Sequence, residues 1–156
     1  MSDEPGDTVQ MIGSRVRFVP MAEGAGYELS EWDVEPAADG PPIHVHHEHE
    51  EGFYVMSGRF GFLLDGVTTY ANPGTHVLVP RGHAHSFWNA GPERARCLII
   101  VSPPGMEEYF RALGAALRGT NTQEGSIAIR RQLAEKYDLE VVGPPAGPHE
   151  GDRKGA

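Results

Sequence analysis

The chain has 156 residues, with 13 Lys or Arg against 22 Asp or Glu, and a formal net charge of −9. That length suits one domain with a real core. A negative charge with no Lys/Arg-rich run excludes nucleic-acid binding by phosphate neutralisation and argues against an anionic membrane surface as partner. A single cysteine, Cys97, excludes an internal disulfide framework.

Nothing at the N-terminus has the charged-then-apolar pattern of a signal sequence, and no apolar run reaches membrane-spanning length, so the expectation is a soluble cytoplasmic protein. Residues 1–7 read as a flexible arm. Within residues 8–20, Arg15-Val-Arg-Phe-Val19 has the two-residue period of a strand, with Val16 and Phe18 inward. Residues 27–34 repeat the pattern, with Tyr27, Leu29 and either Trp32 or Val34 toward the core. A Pro/Gly/Asp loop over 36–42 then leads to the most informative stretch of the chain.

That stretch is Pro42-Ile-His-Val-His-His-Glu-His-Glu-Glu-Gly-Phe-Tyr-Val-Met-Ser-Gly58. His44 and His46 have the same parity on a strand, so their Cα atoms lie roughly 6.5–7 Å apart on one face, and both imidazoles can reach one ion. A short acidic turn follows, then Glu51 and the apolar run of a returning strand. The hairpin folds the Glu51 carboxylate back toward both histidines. Glu50 has the same chemistry one residue earlier.

After Gly58, residues 59–64 form a strand, Asp65-Gly66 is a hairpin signal, residues 67–71 return, and Asn72-Pro-Gly74 turns the chain again. Residues 75–79, 83–89 and 95–101 make three further strands. Short strands at this spacing argue for an antiparallel barrel or double-sheet jelly roll. From Met106 the period changes to three or four, through Phe110, Leu113 and Leu117, with Glu107 and Glu108 in the first turn and Gly119 past the end: a helix. Thr120-x-x-Gln123 has the form of a capping box for a second helix to about Tyr137. Val141 and Val142 can add an edge strand, and residues 143–156, rich in Pro, Gly and charge, read as a disordered tail.

The pattern His44-x-His46-x4-Glu51-x6-Gly58, followed by Gly74-x5-Pro80-x-Gly82-x2-His85-x3-Asn89, resembles the two motifs of the cupin family. One position departs from them: Ala38 stands where a glycine usually precedes the first histidine by six residues. Only Glu51 keeps the six-residue interval to Gly58, which favours it over Glu50. The resemblance implies an all-β antiparallel jelly-roll barrel over 8–102, with a C-terminal helical segment over 103–142 packed on the barrel. It also implies a metal site of His44, His46, Glu51 and His85.

Three imidazoles and a carboxylate suit one divalent transition ion, Fe, Mn, Ni, Co, Cu or Zn. Glu51 is in addition the candidate catalytic residue, as ligand and general base. His47, His49, His76, His83 and His149 read as solvated or structural, although His49 has a route inward. Cys97 reads as core packing. Phe53, Phe60, Phe62 and Val77 read as barrel core, and Phe87, two residues from His85, is the best candidate for a pocket wall.

The context Glu51-Gly-Phe-Tyr-Val and the segment Ser102-Pro-Pro-Gly-Met-Glu-Glu-Tyr-Phe110 resemble small single-domain cupins similar to quercetin dioxygenases. This implies a dioxygenase acting on a flavonol-like or other enolic or phenolic small molecule. A non-oxidative isomerase, decarboxylase or polyketide-type cyclase, and a non-catalytic metal-dependent binding protein, stay open, because the fold leaves the reaction undecided. The exposed sheet edges of a lone jelly roll lead to the expectation of a homodimer.

Overall fold

Residues 7–148 are described by a computed structural model; the first six residues of the expected arm, and 149–156 of the expected tail with His149, lie outside the described residues. The chain opens with a hairpin, β1 (Thr8–Met11) and β2 (Ser14–Phe18). The turn between them passes through Gly13 at φ +70°, a conformation that costs glycine nothing because it has no Cβ. The sequence pattern marks only the second of these strands.

In β3 (Glu28–Val34) the buried residues are Ser30, Trp32 and Val34. The expected inward set is therefore corrected: Tyr27 is 46% exposed, and Leu29 is only half-buried. The reason is register. Trp32 pairs with Val16 on one side and Cys97 on the other, and Ser30 with Phe18 and Ile99. All four of those partners face the core.

The chain continues through β4 (Pro42–Val45), β5 (Glu50–Ser57), β6 (Phe60–Leu64), β7 (Val67–Ala71), β8 (His76–Val79), β9 (His85–Asn89) and β10 (Ala95–Ser102). Asp65 and Gly66, between β6 and β7, both have positive φ, 48° and 81°, as a tight hairpin turn matched to strand twist requires. The helices α1 (Met106–Leu117) and α2 (Gln123–Leu133) follow, and β11 (Glu140–Pro145) closes the fold.

The strands form two sheets, β1-β2-β3-β10-β5-β8 and β11-β4-β9-β6-β7, every ladder antiparallel. They face one another as a double-sheet jelly roll, with Val16, Phe53, Val55, Phe60, Phe62 and Ile99 buried between them. Phe53 meets Phe62 edge-on at 5.2 Å and Phe87 at 5.1 Å. Burial of each such ring contributes about 1.5–3 kcal/mol.

Helix α1 buries Met106, Tyr109, Phe110, Leu113 and Leu117 in this same core. No side chain of its own caps its start. Instead the Glu28 carboxylate on β3 accepts the backbone N–H groups of Gly105 (2.7 Å), Met106 (3.0 Å) and Glu107 (3.0 Å), satisfying orphan donors at the positive end of the helix dipole.

Helix α2 is capped by Thr122, whose hydroxyl accepts from Gly125 N at 3.1 Å. The expected cap at Thr120 thus moves by two residues, and the regular helix ends at Leu133, short of Tyr137. No helix among the described residues is long and apolar enough to cross a membrane.

Residues 143–145, expected in a disordered tail, belong to β11, which pairs with β4 through Glu140–Val45, Val141–His44 and Pro145–Pro42. The reason lies on the outer face of the second sheet. Trp88, 1% exposed, is covered there by Ala146 and Gly147. A Cβ on Gly61 would stand 2.3 Å from the indole, and one on Gly147 2.2 Å from it, so the ring fits only between two glycines. Replacing Gly61 by Ala is expected to lower stability by about 1–3 kcal/mol through overpacking, read as a lower urea midpoint; an unchanged midpoint contradicts this packing.

Candidate metal centre

The site begins as a strand pairing. His44 on β4 is directly opposite His85 on β9, which brings their rings to 4.3 Å between centroids. His46 follows His44 by two residues, on the same face, with its ring 4.9 Å away. Glu51 comes from the other sheet. It shares parity on β5 with Phe53 and Val55, both buried, so its carboxylate points between the sheets. Glu50 takes the opposite parity and stays half-buried outside the cluster.

One ligand atom from each of His44, His46, Glu51 and His85 lies within 4.8 Å of the other three, and all four residues are buried. Each ring spends its Nδ1–H on a backbone carbonyl: His44 on Pro42 (2.7 Å), His46 on Asp138 (2.5 Å) and His85 on His83 (3.0 Å). That fixes the tautomer and leaves three Nε2 atoms for the interior.

Nε2 of His85 lies 2.9 Å from Glu51 Oε2, and that of His46 3.6 Å from Oε1. Nε2 of His44 has no hydrogen-bond partner among the described residues. A buried lone pair with no donor, beside two more nitrogens and a carboxylate, fits a divalent cation of borderline softness.

Charge follows the same geometry. Burial, then the neighbouring His85 and His46, hold His44 well below the usual histidine value, so it is neutral. Burial alone would lower His85 too, but its hydrogen bond to Glu51 and the carboxylate charge outweigh burial and raise it. Burial pushes Glu51 up, and His46 and His85 together overcome it, leaving the carboxyl below its ordinary value.

A cavity of about 430 Å³ opens onto this cluster, lined among others by His44, His46, Glu51, Trp32, Phe87 and Phe110. Trp32 meets Phe110 at 5.3 Å and Phe87 at 5.8 Å, both edge-on. Phe87 is thus a wall of the cavity. Phe53, Phe60, Phe62 and Val77 do not line it and belong to the core. Cys97 is buried and its thiol pushed up, chiefly by burial, which leaves it inert.

His47 pairs with Glu140 at the surface, His83 with Asp65, and His76 is exposed. His49 does not swing inward. Its Nδ1 is 2.7 Å from Asp138 Oδ2, and the same carboxylate accepts the N–H groups of His47, Glu48 and His49. Asp138 therefore clamps the turn between His46 and Glu51 by side chain, and His46 itself by backbone. Sequence reasoning missed it, along with Tyr109 and Arg130, which also line the cavity. Asp138 sits just beyond a helix end, where nothing local distinguishes it from a surface acid. Arg130 and Tyr109 were legible only as helix positions.

Residues 30–101 match the family model described as the cupin domain. The chain is 29% identical over 113 residues to quercetin 2,3-dioxygenase of Bacillus subtilis (strain 168), covering 70% of this chain and 33% of that protein; it thus spans a third of that relative's length. Among solved structures it resembles the polyketide cyclase RemF from Streptomyces resistomycificus, with a TM-score of 0.51, 29% identity, and 59% and 60% of the two chains covered. It also resembles an RmlC-like cupin from Shewanella frigidimarina, with a TM-score of 0.56, 20% identity, and 69% and 93% covered.

The pKa directions set the pH response of the protein stripped of metal. His85 is raised, so its contribution is complete below the ordinary value of 6.5 and is lost as pH rises through its folded value. His44 is lowered, so its contribution is present above 6.5 and is lost as pH falls; the Glu51 contribution is lost likewise below 4.5. Chelator-treated protein is expected to melt highest near pH 6.5 and to lose its alkaline decline on Glu51→Gln. A melting temperature that climbs steadily to about pH 8 contradicts this assignment.

Proposed function

We propose, from the premise that the chain belongs to the cupin superfamily, that it is a metal-dependent enzyme with His44, His46, Glu51 and His85 as ligands of one divalent transition ion. The substrate is a planar enolic or phenolic small molecule of the flavonol type, and the reaction is a dioxygenase reaction. One observation carries the proposal: three Nε2 atoms, their Nδ1 partners already fixed, face one buried carboxylate. The likeness to quercetin 2,3-dioxygenase supports the choice of chemistry.

A transition ion held there supplies Lewis acidity toward an enolate or phenolate oxygen and, when redox-active, electron exchange with dioxygen. The chain's own residues do the rest. Trp32, Phe87 and Phe110 present ring faces and edges to a flat substrate and exclude water from the inner cavity. Glu51, ionised because its carboxyl is held below the ordinary range, takes the proton of the substrate hydroxyl that enters beside it. His85 and His46, whose Nε2 atoms flank its two oxygens, set the direction in which the carboxylate faces. Asp138 keeps the turn carrying His46 from opening.

A second reading, a non-oxidative cyclase acting on a polyketide-like substrate, is favoured by the likeness to the polyketide cyclase RemF. The two readings separate in an oxygen-electrode assay with flavonols, repeated with hydroxylated polyketides under nitrogen. Oxygen uptake coupled to loss of a flavonol supports the first, and turnover under nitrogen the second. In either, Glu51→Gln is expected to cut turnover by about a hundredfold or more while removing proportionately less metal. Equal loss of metal and turnover reduces Glu51 to a ligand.

A further inference from the structure

The face that α2 turns to the cavity consists of Gln123, Ser126, Ile127 and Arg130, at the i, i+3, i+4, i+7 spacing of one helical stripe. On an ordinary core-facing helix that stripe is apolar. Here three of the four positions are polar, and one is an arginine.

Arg130 is the one Lys or Arg among the described residues lining the cavity. Its guanidinium donates to the Ser126 hydroxyl one turn back and to the hydroxyl of Tyr109 on α1. Both partners are neutral, since burial raises the Tyr109 phenol to about 12. No carboxylate among the described residues lies within ion-pair distance of Arg130.

The three carboxylates lining the cavity are engaged elsewhere: Glu35 with Arg94, Asp39 with Gln123, and Glu51 with His85. Arg130 is near enough to the four-residue cluster for its charge to act on His44. A guanidinium has five donors in a planar fork, and two hydroxyls leave part of that fork open. Holding such a cation half-buried without a counter-charge is costly, so its fork is a ready receptor for a ligand anion.

We propose that Arg130, positioned by Ser126 and Tyr109, binds a carboxylate on the substrate. The substrate class narrows accordingly to planar aromatic or enolic acids, whose hydroxyl enters at His44, His46, Glu51 and His85 while the acid group pairs with the fork on α2. This deepens the proposed function and rests on it for the hydroxyl end. The recognition is for a carboxylate, because the one lining cation is a single planar fork that matches a two-oxygen monoanion, whereas a phosphate dianion calls for more than one positive charge.

The test compares 6-hydroxy-2-naphthoate with 2-naphthol, which share a ring system and differ in the distal acid, by quenching of the fluorescence of Trp32 and Trp88 together and by calorimetry. Protein as isolated is expected to prefer the naphthoate by roughly ten- to a hundredfold, with the ratio shrinking as salt is raised. Arg130→Gln is expected to abolish the preference while leaving naphthol affinity and metal content within about twofold, and Arg130→Lys to retain part of it. The proposal is overturned by equal affinities in the wild type, by a naphthoate that does not bind at millimolar concentration, or by a preference that survives Arg130→Gln. Should Arg130→Gln not fold, the salt dependence of the wild-type ratio decides alone. Failure of the metal reading shows separately, as naphthol binding no better to the protein as isolated than to chelator-treated protein.

Discussion

Two imidazoles held opposite one another across the β4–β9 ladder set the terms for the rest of the molecule. His44 and His85 are paired by backbone register, so their separation depends on hydrogen bonds along the strands more than on side-chain choice. Glu51 then has to arrive from the facing sheet, which fixes the spacing between sheets at that end. The Phe53, Phe62 and Phe87 contacts hold that spacing, because a core at crystal-like density does not yield by an ångström without cost. Four buried polar side chains gathered at one point are a liability unless something satisfies them. The carbonyls of Pro42, His83 and Asp138 deal with the outer nitrogen of each ring and leave the inner ones to share a single centre.

Much of this was legible in the chain itself. A two-residue interval placed His44 and His46 on one face, and the interval from Glu51 to Gly58 singled out Glu51 over Glu50. Strand parity gives that preference its physical basis, since Glu51 falls in phase with Phe53 and Val55. The Asp65-Gly66 turn and the α1 stripe were equally readable, because each is governed by local backbone conformation or by one strong period. What failed were readings that needed knowledge of neighbours. Tyr27 and Leu29 have the composition of core residues, yet the register of β3 with β2 and β10 turns the other parity inward. Residues 143–145 look like tail, but they complete an edge beside β4, and the residues just beyond them cover Trp88.

The C-terminal third is where the chain adds to the stretch that matches the cupin-domain model. Residues 30–101 carry all four members of the cluster, whereas Tyr109, Arg130 and Asp138 lie beyond them. Asp138 ties the turn between His46 and Glu51 to the end of the helical segment through five contacts, four from its carboxylate and one from its carbonyl. Arg130 and Tyr109 furnish part of the polar lining of a cavity whose walls also include Trp32, Phe87 and Phe110. The matched stretch thus carries the four-residue cluster, and the helices and last strand add residues beside it and along the cavity. That division explains why motif spacing located the centre while leaving the substrate undecided.

The central claim is that these four side chains hold one transition ion. Elemental analysis of the purified protein as isolated tests it most directly, made alongside His44→Ala and His85→Ala proteins prepared in the same way. Close to one transition-metal ion per chain in the native protein, with affinity reduced at least about tenfold in each variant, is the predicted result. A native protein that takes up no transition ion, or one whose ion survives both replacements undiminished, would contradict the account.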